Sequence, residues 1–274
     1  MRIGSPYFLQ SASHIFRFTP PEDDYVKATV TEDRLLFVVT SNAPVVNIAY
    51  HSNGRWNVAE IPTDGATKTV TLSDLDLGTD FYLWGKGADA YLTFKRDMGK
   101  SGVSDFYIKG DFCKSFTGGI QYGYGVGNVH ANSSSLTDIS ITSQGSCKQF
   151  VAEDCPALTS IIIGAMAYNS EDGLETVIIT DCPAGLTLGI NPSTTNGLKN
   201  LTFLRNTGAM SYRSANAIKT IRFNAVNEAA ANSVASMITN ADANDGTVYL
   251  NSADAYYQTV ADAATAKGWT IGSL

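Results

Sequence analysis

Asp154-Cys155-Pro156-Ala157-Leu158-Thr159-Ser160-Ile161-Ile162-Ile163 holds the pattern that decides the fold. Within it, an apolar residue, two polar residues and an apolar-x-apolar triplet follow one another. In a short strand alternate side chains share a face, so Ile161 and Ile163 point one way and Leu158 sits on the bend that leads in. The pattern recurs as Leu136-Thr-Asp-Ile139-Ser-Ile141, Leu174-Glu-Thr-Val177-Ile-Ile179, Leu198-Lys-Asn-Leu201-Thr-Phe203 and Ile218-Lys-Thr-Ile221-Arg-Phe223. Val103-Ser-Asp-Phe106-Tyr-Ile108 reads as an earlier, degenerate copy. From Leu136 onward the start-to-start spacings are 22, 16, 24 and 20 residues, which predicts coils differing in loop length. One such unit cannot bury its apolar face alone; stacked units bury it in a shared core.

A second signal overlaps the first. Asp154-Cys155-Pro156-Ala157 and Asp181-Cys182-Pro183-Ala184 fall at matching points. Cys182 lies three residues after Ile179, and Asn206 holds the same place after Phe203. Two readings of the cysteines stand: redox or metal chemistry, or buried thiols stacked from turn to turn. A Cys155–Cys182 disulfide is compatible with the spacing and is not implied by it. Cys113 and Cys147 complete the four cysteines, no CxxC occurs, and His14, His51 and His130 are scattered, so no structural zinc site is expected.

Cys155-Pro-Ala-Leu158-Thr-Ser-Ile161-Ile-Ile163 resembles the C-x-x-L-x-x-I-x-I element of BspA-like leucine-rich repeats, over roughly residues 100–225. The C-terminal stretch from Gly246 to Ile271 is similar to a closing segment seen after such repeats. The repeats here are few and irregular, and the family's Pro-rich strand exits are missing. The resemblance implies a solenoid, with Asn or Cys satisfying the turn backbone. It also implies a setting among surface proteins of gut Bacteroidota or their phages.

The flanks read differently. Residues 23–99 predict an all-β sandwich of immunoglobulin or fibronectin kind. Its candidate strands are Tyr25–Thr31, Arg34–Thr40, Val45–Tyr50, Arg55–Ile61, Thr67–Leu72, Phe81–Trp84 and Tyr91–Phe94. Asn53-Gly54 between two runs signals a tight hairpin, whose central residues both need positive φ. Leu72-Ser-Asp-Leu75-Asp-Leu77-Gly78-Thr79-Asp-Phe81 is similar to the stretch before the sixth strand of fibronectin type III domains, with Phe81 in the usual Tyr place. Trp56 and Trp84 are expected in the sandwich core. Residues 226–274 switch period and predict an α/β cap. It comprises a helix over Asn227–Asn240, a strand over Thr247–Leu250, a helix over Ala253–Lys267 capped by Ser252 and ended by Gly268, and a closing strand at Trp269–Ile271. The fold class expected is mainly β with minor α.

Residues 1–22 form an N-terminal arm, bounded by Pro20-Pro21-Glu22-Asp23-Asp24. Tyr7, Phe8, Phe16 and Phe18 make it too apolar for a free tail. It is either a strand docked on the sandwich or an anchor for a partner. Ser5, Pro6 and Gln10 interrupt any apolar core near the start, so no secretory signal is expected there.

The bulk numbers exclude some classes. Hydrophobic residues are 44% of the 274 and charged residues 16%, enough apolar content for a core. The net charge of −7, with no long Lys/Arg run, disfavours nucleic-acid binding. No apolar run is long enough to insert in a membrane as a helix. No G-x-S-x-G elbow, Walker loop or H-E-x-x-H occurs. Asn240-Ala-Asp242-Ala-Asn244-Asp245-Gly246 resembles a calcium loop, but its glycine falls one place late and Asn251 stands where a bidentate Glu belongs. No catalytic residue, metal or cofactor is expected. Tyr122 and Tyr124, alternating with glycines, are candidates to stack a sugar or anchor a protein, or else to pack onto the first coil.

The function expected is that of a non-enzymatic virion protein, a tail or head fibre component with receptor-binding capacity. It would be homo-oligomeric, with other virion proteins or a host surface glycan or protein as partners. A bacterial cell-surface adhesin and a carbohydrate-active enzyme are the alternatives.

Overall fold

Alternation of apolar and polar side chains explains the first seven strands. The computed structural model describes residues 18–85, 87–95, 103–120, 128–143, 148–164, 174–188, 197–212 and 217–274. Strand β1 (Tyr25–Val30) buries Val26, Ala28 and Val30, and β2 (Leu35–Ser41) buries Leu35, Phe37 and Val39. Then follow β3 (Val45–Ser52), β4 (Arg55–Pro62), β5 (Thr67–Leu72), β6 (Asp80–Trp84) and β7 (Ala90–Lys95). All seven lie on the segments that the sequence marks. Between β3 and β4, Asn53 and Gly54 have φ of 53° and 74°, the paired positive values that the hairpin turn demands.

Every pairing among these strands is antiparallel: β1 with β6, β6 with β3, β3 with β4, β2 with β5 and with β7. From β8 (Val103–Lys109) onward the pairing turns parallel, and successive strands alternate between two sheets. A long sheet of twelve strands takes β8, β10 (Asn128–Asn132), β12 (Gln149–Glu153), β14 (Thr176–Thr180), β16 (Asn200–Leu204) and β18 (Thr220–Phe223). A shorter sheet of eight takes β9 (Cys113–Ile120), β11 (Asp138–Ser143), β13 (Ser160–Ile163), β15 (Gly185–Leu188) and β17 (Met210–Tyr212). One long-sheet strand and the short-sheet strand after it form a rung, and each rung pairs in parallel with the next.

Both sheets run on without a break into the antiparallel strands, since β8 pairs with β1 and β9 with β7. One cluster of buried apolar side chains extends between them from Val26 to Trp269. Phe37, Phe81, Phe94, Phe106 and Phe116 bridge the change from antiparallel to parallel pairing, with adjoining ring centroids 4.8–6.2 Å apart.

The recurring motif proves to belong to two sheets. Leu136 and Leu158 lead into β11 and β13 of the short sheet, whereas Leu174, Leu198 and Ile218 lead into β14, β16 and β18 of the long one. The short interval of 16 residues is therefore the step from one sheet to the other inside the stack, not a shortened loop. Strands β9, β10, β12, β15 and β17 complete the rungs and escape the motif. Their bends lack the leading Leu, although Val129, Phe150, Leu186 and Met210 are all buried.

After β18 a helix replaces the short-sheet strand. Helix α1 (Glu228–Asn240) starts at Asn227, whose side chain accepts from the Ala230 N–H, and buries Ala230, Ala231, Val234, Met237 and Ile238. Strand β19 (Thr247–Leu250), helix α2 (Tyr257–Lys267) and β20 (Thr270–Ser273) follow, and β19 and β20 extend the long sheet in parallel. Gly268 ends α2 in the left-handed region at φ 79°, as expected. The start differs from expectation: α2 begins at Tyr257, not Ala253, and no side chain caps it. Ser252 is exposed, and turns over 252–256 let the Asp254 carboxylate accept from the Ala225 N–H. Tying the entry to the preceding rung takes precedence over an earlier helical turn.

Candidate functional site

Two arrangements stand out, one inside the corner after the long-sheet strands and one on that sheet's outer face. The corner is built by a repeated conformation. Asp154, Asp181 and Arg205 each follow a long-sheet strand and each take the left-handed region, at φ 51°, 56° and 51°. That bend aims the side chain of the next residue inward. Cys155, Cys182 and Asn206 consequently point inward and, with Ser133 after β10, form a buried column, each 0–1% exposed. Asn206 donates to the Ile179 and Leu204 carbonyls at 2.7 and 2.9 Å and accepts from the Cys182 N–H at 2.9 Å. Cys182 Sγ donates to the Thr180 carbonyl and Cys155 Sγ to that of Glu153. Ser133 donates to the Gly110 carbonyl at 2.5 Å. The column supplies partners that the bent backbone would otherwise lack. The thiols are stacked from turn to turn. Outside the corner, the Arg205 guanidinium grips Asp181 at 2.5 and 2.6 Å and holds that carboxyl below its usual range.

The outer face of the long sheet carries a second arrangement. Residues directly opposite in a ladder project from the same face. The registers define one row across all twelve strands. It starts Val58, Ala49, Tyr82, Lys27, Tyr107, His130. It continues Val151, Ile178, Thr202, Arg222, Tyr249, Gly272. The first half is aromatic and basic. Phe18 lies against Trp56, Tyr82 and Trp84 with centroids 4.8, 5.6 and 5.7 Å away. Tyr82, though on an outer face, is only 6% exposed, and burial, with Asp80 beside it, pushes its hydroxyl up to about 12. The Lys27 ammonium pairs with Asp80 at 3.0 Å and stands 5.5 Å from the Tyr107 ring centre. On the neighbouring strand His130 stacks on Tyr107 at 5.1 Å and 8°. At the far end the Arg222 guanidinium lies 4.5 Å from the centre of Tyr249, whose ring covers Gly272 so closely that a Cβ there would meet it at 2.6 Å.

Between Tyr107 and β12 the face dips into a cleft of about 130 Å³, lined by Tyr25, Tyr107, Lys109, His130, Asn132 and Glu153 among others. Lys109 is held by Asp23 at 2.5 Å. The face therefore offers ring edges, hydroxyls, an amide and a carboxylate on rigid strands. Those groups can bind; among the described residues no three His, Cys, Asp or Glu side chains are placed to hold a metal ion.

Of the predicted arm residues, Phe18 is placed, in the aromatic cluster; Tyr7, Phe8 and Phe16 lie outside the described residues, as do Tyr122, Tyr124 and Cys147. Trp56 and Trp84 are not in the core, contrary to expectation. Both are half-buried on the outer face, because Trp56 lies opposite His51 and Trp84 opposite Asn47, while Ile61 and Leu83 fill the inner positions. The sequence reading missed Tyr25, Tyr82, Tyr107 and His130. Their signal was strand alternation, which put each on the face opposite the core, but grouping them requires knowing that β1 sits between β6 and β8. No family model, no curated protein and no solved structure matches this chain.

Proposed function

We propose that this chain is a non-enzymatic adhesion and structural protein of a bacteriophage particle, a tail or head fibre component whose contact surface is the outer face of the long sheet. In this reading residues 23–99 are a β-sandwich, 100–225 a leucine-rich-repeat-like solenoid, and 226–274 the α/β cap that hides the last rung's apolar side. The sandwich and the repeats share their sheets so that the particle-proximal and ligand-facing parts move as one rod. The supporting observation is the single row of outer-face positions running from Val58 to Gly272 across twelve strands, with Ala49, Tyr82 and Val151 covered and the rest reaching the surface. A surface so long, fixed on hydrogen-bonded backbone, suits contact with an extended partner such as a host surface glycan or protein. The resemblance to BspA-like repeats supplies the setting among gut Bacteroidota and their phages. Residues 1–22 are the arm that joins the chain to other virion proteins or to its own copies, with Phe18 as its fixed end.

The test is to raise antibody against the full chain and probe purified phage particles and host-cell fractions. Label on particles supports the proposal. Label confined to the bacterial envelope replaces it with a cell-surface adhesin, and polysaccharide cleavage by the pure chain replaces it with a carbohydrate-active enzyme.

A further inference from the structure

We propose that Cys155 and Cys182 are a redox pair that closes to a disulfide and staples two successive rungs. The proposal is independent of the reading of function above. Both cysteines stand three residues past paired positions, because Ala152 lies opposite Ile179 and Glu153 opposite Thr180 in the parallel ladder. The pairing continues into the corner, where the Asp154 N–H donates to the Thr180 carbonyl at 3.2 Å. Neighbouring strands are spaced about 4.8 Å apart, within the range of roughly 4.4–6.8 Å that a disulfide spans between α-carbons. In the structure both are buried free thiols.

Cys155 Sγ accepts the Ser133 N–H at 3.4 Å. The thiolate is the reactive form. One cysteine, as its thiolate, attacks a sulfur of a small disulfide such as oxidised glutathione and expels one thiolate. The second cysteine, as its thiolate, then attacks the first one's sulfur and expels the other. Two protein thiols are oxidised, one small disulfide is reduced, and the two protons end on the released thiols. What closure gives up is small: S–H donors are weak, and these reach the Thr180, Glu153, Ala131 and Ala152 carbonyls only at 3.2–3.6 Å. Both sulfurs are 0–1% exposed, so exchange takes place while the corner is open, during folding, and the finished bridge is shielded. The chain would carry the bridge once folded in an oxidising compartment and lack it in a reducing one.

Cys113 provides an internal contrast. Buried at the start of β9 beside Asp138, its thiol is pushed far up and has Ser115 as its hydrogen-bond partner, not another sulfur.

The full chain should be unfolded, refolded in reduced and oxidised glutathione, trapped by alkylation and mapped by mass spectrometry. The expected product is lighter by two hydrogen atoms, with Cys155 joined to Cys182, and has a higher Tm than the chain refolded with a reductant. Cys155→Ser and Cys182→Ser should each abolish the mass change and the Tm difference, and Cys113→Ser should keep both. Four free thiols after oxidative refolding would overturn the proposal. So would a bridge to Cys113 or Cys147, or a Tm lowered by the Cys155–Cys182 bridge.

Discussion

Replacing Asn206 by Ala tests the buried column where its hydrogen bonds are densest. Asn206 is 1% exposed and takes part in three hydrogen bonds, two given and one received. In the Ala variant the Leu204 carbonyl keeps the Asp181 N–H at 3.2 Å. The Cys182 N–H loses the Asn206 acceptor, inside the stack and away from water. An orphaned buried donor costs about 1–3 kcal/mol, and the two lost carbonyl bonds add roughly 1 kcal/mol between them. The expected destabilisation is about 2–4 kcal/mol, which lowers Tm by roughly 5–15 °C for a chain of this size. Asn206→Asp keeps an acceptor for Cys182 but turns a carboxylate towards two carbonyls, so it should be at least as costly at neutral pH and should recover partly as acid protonates it. Thermal melts of the three proteins at pH 7 and pH 5 measure both effects. An Asn206→Ala variant within about 0.5 kcal/mol of the parent, the range of ordinary surface changes, would refute the claim that this column holds the corners.

Four further outcomes follow from the geometry. Ile161→Ala should cost about 2–5 kcal/mol in urea unfolding, because Ile161 is fully buried. Ile162→Ala, at a position 41% exposed, should stay within about 0.5 kcal/mol. Phe18→Ala should shift tryptophan emission to the red, since Phe18 covers Trp56 and Trp84, and the emission of the parent should stay blue of it. Asp76 is held below its usual range first by the Gly54 N–H and then by His51, so its contribution is complete above the ordinary carboxylate pKa and is lost as pH falls below about 4. Asp76→Asn should flatten that acid limb of the Tm–pH curve; an unchanged limb would remove Asp76 from the account.

The alternation of β1 and β2 was legible because each buries one face only. Val26, Ala28 and Val30 point inward and Lys27 and Thr29 outward, and the chain says so directly. Helix α1 was legible for a similar reason, down to Asn227. The two-sheet stack was half legible. Periodicity identifies a strand without naming its sheet, and the leading Leu marks bends in both. The outer face was the least legible part. Tyr82, Lys27, Tyr107 and His130 lie far apart in sequence and meet only because β1 enters the sheet between β6 and β8. Trp56 and Trp84 show the same limit, since large aromatic side chains on strands suit a core and a covered outer face equally.

Retention of the full chain on intact Bacteroidota cells tests the proposed contact surface. The parent should be compared with a variant carrying Tyr107→Ala, His130→Ala and Arg222→Ala, and with one carrying Tyr91→Ala and Ile162→Ala on exposed sites of the short sheet. With Tm unchanged, the first variant should lose most of its retention and the second should keep it. Equal retention by both variants, or no retention by the parent on any host, would contradict the proposal.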